Sequence, residues 1–247
     1  MLASPVMPTL TALAASSQTA SGISIAILPR LRRGRERYAK YEADLSEPLP
    51  PNIFANQDAI AVRNRYSKSS FHALLLPTAH QSQLTPFEAL RDPAFLTLVR
   101  QEAQKLKHIV ASELCRMFGK FSAQEGARQA VLDGQVGGAE VLPAGRDWEK
   151  DVLVGVHASP WMHRLHIHVL SRDLVSRGIE HKRHYNSFAT PFLIDLDDFP
   201  LTDGQIQERE RALQAGLKCW RCGQDFGDQF ISLKAHLAEE FEKWKAE

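Results

Sequence analysis

A seven-residue run, Leu165-His166-Ile167-His168-Val169-Leu170-Ser171, constrains this chain more than any other part of it. Side chains alternate across a strand, so the pattern predicts a strand with Leu165, Ile167 and Val169 facing a core and His166 and His168 side by side on the other face. Two imidazoles on a stiff element suit chemistry at phosphorus: one can attack, the other can stabilise the charge that develops. The plain alternative is a half-buried strand whose histidines are only polar surface. Against it stands the local density of histidine: His157, His163, His166 and His168 fall within twelve residues of a chain that has 10 in all.

At 247 residues the chain can bury one ordinary core and carry a small appendage. Lys and Arg total 30 against 29 Asp and Glu. A net charge of +1 supplies no global pull on a polyanion, so any such partner must be held by local patches. Three cysteines, two of them in a Cys-x-x-Cys, argue against a disulfide framework and for a reducing compartment. No apolar run approaches the roughly 20 residues that span a bilayer, and no membrane partner is expected. The first 35 residues contain no acid, are rich in Ala, Ser and Thr, and end in Arg30, Arg32, Arg33 and Arg35. That composition fits a mitochondrial transit peptide, a basic arm able to touch phosphates, or a disordered leader without a role.

Residues 1–50 read as a weakly ordered leader closing on Glu47-Pro48-Leu49-Pro50-Pro51. Strands are expected at Ala59–Arg63, Phe71–Leu76, Asp151–His157 and Leu165–Leu170. Phe95, Val99, Leu106, Val110, Leu114 and Met117 recur at helical spacing and predict a long amphipathic helix from Pro93 to about Met117, with Cys115 as a core residue. The glycine-bearing stretch from Gly119 to Lys150 reads as a loop or insertion, residues 171–190 as a basic connection, and Thr202–Gln214 as a polar linker. Antiparallel pairing of the last two strands would bring His157 to the histidine strand. The whole divides into a domain over residues 51–200 and a small module over 201–247.

That module carries Cys219 and Cys222, then thirteen residues, His236, three residues and Glu240. This is the spacing of a zinc finger with glutamate in the fourth position. His236 and Glu240, four apart on a helix, share a face; Glu239 competes at a spacing of three. Phe226 and Leu233 supply a small core. A module this small folds only with its metal, so the zinc is structural.

The histidines place the chain further. Gly155-Val156-His157-Ala158-Ser159-Pro160, the histidine strand continued through Arg172-Asp173, and His184-Tyr185-Asn186-Ser187-Phe188 resemble the aprataxin family of the histidine-triad superfamily. The resemblance covers roughly residues 55–245. It implies an α+β fold with a histidine-triad antiparallel sheet and helices, followed by a C-terminal finger. It implies removal of AMP left on DNA 5′ ends by abortive ligation, with no cofactor needed for the hydrolysis. In that scheme His166 is the nucleophile and forms a covalent histidine–AMP, His168 donates to the nonbridging oxygens, and His157 protonates the leaving 5′-phosphate. Tyr66 stacks on a terminal base pair, worth about 1–3 kcal/mol and indifferent to base identity. Lys68, His72, Ser171, Lys182 and Asn64 fall among the nucleotide and DNA contacts. Fungal members carry glutamate as fourth zinc ligand. Arg164 replaces the first histidine of the superfamily motif, Asn64 an aspartate, Ser67 a proline and Glu180 a lysine, for which Lys182 and Arg183 stand nearby.

The resemblance thus implies a DNA 5′-adenylate hydrolase acting on nicks and adenylated ends in the nucleus, with AMP as product. The competing readings are a hydrolase of free nucleotides or nucleoside phosphoramidates, and a non-catalytic adaptor that binds DNA ends. Removal of GMP from capped 3′ ends uses the same chemistry.

Overall fold

The computed structural model describes residues 52–136, 141–160, 162 and 164–247. The expected N-terminal leader and His163 lie outside the described residues.

Three strands open the fold: β1 (Phe54–Ala55), β2 (Ala59–Arg63) and β3 (His72–Pro77). A short helix α1 (Pro86–Ala89), the long α2 (Pro93–Phe118) and α3 (Ala123–Leu132) follow. Next come β4 (Val152–His157), β5 (Ile167–Ser171), α4 (Lys182–Ala189), β6 (Leu193–Ile194) and α5 (Asp203–Arg211). A hairpin of β7 (Leu217–Lys218) and β8 (Asp225–Gly227) leads to the terminal α6 (Phe230–Ala246). The first six strands make one antiparallel sheet in the order β1-β2-β3-β5-β4-β6, an α+β arrangement.

Period-two alternation sorts the sheet into two faces. Ala73 and Leu75 of β3, Ile167 and Val169 of β5, and Val152 and Val156 of β4 join the main core. There they meet α2, whose buried Phe95, Leu96, Val99, Ala103, Leu106, Val110, Leu114 and Phe118 form the expected helical stripe. Asp92 caps α2 by accepting from the N–H groups of Ala94 and Phe95, and Pro93 occupies its first turn, where a missing N–H costs nothing. The opposite face carries the histidines and is partly covered by α4.

Three stretches expected to lack regular structure are helical. The Gly119–Lys150 segment contains α3, capped by Ser122 and devoid of buried residues, so no apolar stripe marked it in the sequence. The 171–190 connection contains α4, capped by His181. The supposed linker at Thr202–Gln214 contains α5, which starts in a capping box between Thr202 and Gln205 and buries nothing. Helices α3 and α5 rest on caps and charge rather than on hydrophobic periodicity, whereas α4 buries Tyr185, Asn186, Ser187 and Phe188.

The terminal module is not a bead on a string. Trp244, near the end of α6, is 1 % exposed and belongs to the same core as the sheet. Its ring meets Trp148 and Phe118 edge-on, with centroids 6.0 and 5.6 Å away. The Arg146 guanidinium lies 4.2 Å from the Trp148 ring and 4.8 Å from that of Trp244. Arg146 also donates to Asp151 at 2.9 Å and to the Trp244 carbonyl at 2.5 Å. The segment expected to be an insertion thus ends in a wedge between sheet and finger.

Candidate active site and metal centre

β3, β5 and β4 lie side by side, which brings His72 to the imidazoles of the 157–168 stretch. Leu74 pairs with His168 and Gly155 with His168 in register, so the rings of His72, His157 and His168 share one face. Ring centroids are 4.3 Å apart for His157 and His168, 5.0 Å for His166 and His168, and 5.2 Å for His72 and His168. The strand itself begins at Ile167; His166 stands just before it, 5 % exposed, beside His168 at 6 % and His157 at 8 %.

Hydrogen bonds fix which nitrogen of each ring carries its proton. His166 donates from Nδ1 to the Arg164 carbonyl at 2.9 Å, which leaves its Nε2 with an unshared lone pair. The Lys68 backbone N–H donates to His72 Nδ1 at 3.1 Å. The proton of His72 therefore sits on Nε2, which donates to His168 Nδ1 at 3.0 Å. His168 in turn keeps its proton on Nε2, a buried atom without a partner. His157 Nε2 is likewise buried and unpartnered. One ring offers a lone pair and its neighbour an N–H, as nucleophilic attack on a phosphorus oxyanion requires.

Burial holds all three rings neutral. Desolvation, followed by the mutual repulsion of the imidazoles, lowers His168 well below the usual histidine range and brings His157 to about 3. For His157 a backbone hydrogen bond at Ser187 works in the opposite direction. Desolvation also lowers His166, opposed by its bond to Arg164.

Around this floor the other expected contacts separate into two groups. Tyr66 is 56 % exposed, Lys68 is half-buried, and Asn64 places its amide nitrogen 3.2 Å from His72 Nε2. The Lys68 ammonium donates to the Gly178 carbonyl at 2.8 Å, and burial lowers its pKa. A Cβ on Gly178 would overlap the Ser67 carbonyl oxygen, so only glycine lets these two loops lie against each other. Lys182 is tied to Asp228 at the start of the finger helix.

Two expectations are corrected. Ser171 is fully buried: its hydroxyl donates to the Asp173 carboxylate and accepts from the Phe71 N–H at 3.0 Å. Asp173 also accepts from the Ser70 N–H at 3.0 Å, so this pair holds the loop that carries Lys68 and does not face a ligand. His72, expected to touch phosphate, is 1 % exposed behind His168 and acts by setting that ring's tautomer. Its contact spans 96 residues of sequence, which no local pattern discloses. Phe188 of α4, to which the sequence assigns no role, meets the rings of His72, His157 and His168 edge-on at 5.3, 4.9 and 5.2 Å.

In the finger, Cys219, Cys222 and His236 place their ligand atoms within 4.8 Å of one another. Two thiols and an imidazole converging from a hairpin and a helix are a donor set that fits structural zinc. Glu240, the expected fourth ligand, is not brought to the three. It is buried, and its carboxylate is drawn to the nearest cations, Arg221 at 2.6 Å and Lys243 at 2.6 Å. Glu239 is exposed.

Comparison with known proteins agrees with both halves. The HIT domain family model matches residues 51–175, and that of the C2HE / C2H2 / C2HC zinc-binding finger matches residues 189–243. The aprataxin-like protein of Schizosaccharomyces pombe is 31% identical over 194 residues, covering 78% of this chain and 75% of the relative. That of Saccharomyces cerevisiae is 31% identical over 73% of this chain and 82% of its own length. The crystal structure of the aprataxin ortholog Hnt3 in complex with DNA superposes with a TM-score of 0.62 at 27% identity, over 85% of this chain and 96% of that one. On the imidazole floor, the finger and these matches together, the chain belongs to the aprataxin-like family of HIT-domain proteins.

Proposed function

We propose that the chain removes AMP from adenylated DNA 5′ ends, through a covalent intermediate on His166. The carrying observation is the pair of complementary ring atoms: an Nε2 lone pair on His166 beside an unpartnered Nε2–H on His168. In the first step His166 Nε2 attacks the AMP phosphorus of the 5′,5′ pyrophosphate, and the bond from that phosphorus to the bridging oxygen breaks. The displaced DNA 5′-phosphate takes a proton from His157, which an anionic substrate would have charged beforehand. Water then attacks the phosphoramidate, the N–P bond breaks, and AMP leaves with His166 restored. His168 Nε2–H stabilises the nonbridging oxygens throughout. Exposed Tyr66 would stack on the terminal base pair of a nick, with Lys68 and Lys182 beside the strand's phosphates; these contacts ignore sequence. A 3′ end capped with GMP presents the same bond and is a second candidate substrate. A nuclear site of action goes with this reading.

When bound, zinc would hold the finger's fold, with Cys219, Cys222 and His236 as ligands.

The test is incubation with 5′-adenylated nicked duplex and acid quenching. A protein–AMP adduct that His166→Ala abolishes, with AMP release lost by a factor of about 10³ or more, is expected for a missing nucleophile. No adduct, or faster turnover of small adenylates than of adenylated nicks, would reject the DNA substrate.

A further inference from the structure

Four successive residues of α4 tie the metal knuckle to the imidazole floor. Tyr185 is fully buried, and its hydroxyl donates to the Lys218 carbonyl at 2.7 Å and accepts from the Trp220 N–H at 2.9 Å. Those two groups flank Cys219. Asn186, also fully buried, donates to the carbonyls of Leu213 and Ala215 at 3.2 and 2.8 Å, on the chain leading into the finger. Ser187 is bonded through its backbone to His157. Phe188 lays its edge against three imidazoles, as described above. Leu217, Cys219, Leu233 and Leu237 of the finger share one buried cluster with Leu170, Tyr185 and Phe188.

We propose that, through α4, the thiolate knuckle orients His157 and His168, and that Tyr185 is a positioning residue for hydrolysis whose effect does not require DNA. This rests on the histidines being the hydrolytic site, but not on the polynucleotide part of the substrate. Tyr185 touches neither substrate nor imidazole. Without its hydroxyl, a part-buried carbonyl and N–H on either side of Cys219 lose their partner. The helix is then free to turn, and Phe188 turns with it. Phosphoryl transfer tolerates only a few tenths of an ångström at the reacting groups, so a small rotation is felt in the chemical step. A finger that served only to grip duplex would leave a DNA-free substrate untouched.

The test compares Tyr185→Phe with the wild-type protein, using a lysine–AMP phosphoramidate as substrate and ¹⁵N-labelled histidine rings as a probe independent of turnover. The variant should keep its zinc, shift the ring resonances of His157 and His168, and lower kcat about three- to tenfold with KM within about twofold. Zinc extraction from the wild-type protein should shift the same resonances, which covers the case of a variant that folds poorly. Unmoved resonances with unchanged kcat, in a variant that retains zinc, overturn the proposal. If adenylated DNA proves not to be a substrate, the resonances and the phosphoramidate still decide it.

Discussion

Three imidazoles within van der Waals reach cannot all be charged, and burial makes even one charge costly. His157, held at about 3, is neutral at pH 7 and has no proton to give until an anion arrives. A phosphate seated among the rings favours their charged forms, so binding must draw in protons. AMP binding measured by calorimetry at pH 7, in buffers of different ionisation enthalpy, should therefore show net proton uptake; an enthalpy independent of buffer would contradict this. The same depression governs stability. The unfolded chain binds protons at His157 from about pH 6.5 downward, whereas the folded chain does so only near 3. Its contribution to stability is complete above 6.5 and is lost as the pH falls through that window. His157→Gln should flatten the decline of Tm between pH 6.5 and 4, and an unchanged slope would remove His157 as its source. Of these groups, His166 and His168 were legible from strand alternation and His157 from the expected antiparallel pairing of its strand. The role of His72 was not, because it depends on a neighbour supplied by another strand.

At the scale of elements, hydrophobic periodicity recovered what the core demands. The long helix α2 and strands β2 to β5 each bury a regular face, and their bounds were readable to within two residues. Helices α3 and α5 bury nothing and left no such trace. Helix α4 is short, and its buried residues meet partners from two different modules. The junction of β4 and β6 shows a constraint of another kind. A Cβ at Gly155 would overlap the Ile194 backbone carbonyl oxygen, and backbone in a sheet cannot step aside cheaply. Gly155→Ala should cost about 1–3 kcal/mol in urea unfolding. A cost below a few tenths would mean that β6 pairs more loosely than described.

Taken whole, the molecule joins a sheet and a metal finger that the sequence presents as neighbours separated by a linker. The Cys-x-x-Cys and His236 were legible because ligand spacing is local. The docking was not, because it is made by Trp148 and Trp244, 96 residues apart, with Arg146 between them. Cys222→Ala should lose the zinc and weaken affinity for nicked duplex. It should also lower the thermal transition of the whole chain, read by the near-ultraviolet signal of the buried tryptophans. Two separate transitions, with the sheet's unchanged, would show that the modules fold independently.

Arg146 has an evolutionary and practical consequence. Its buried positive charge is neutralised by Asp151 on the sheet side and covered by the Trp244 indole on the finger side. A gene fragment stopping near residue 200 would leave that cation with half its housing and Trp148 with a bare ring. Such a fragment should be recovered as insoluble material rather than as a smaller working enzyme, and domain shuffling should transfer these two modules together.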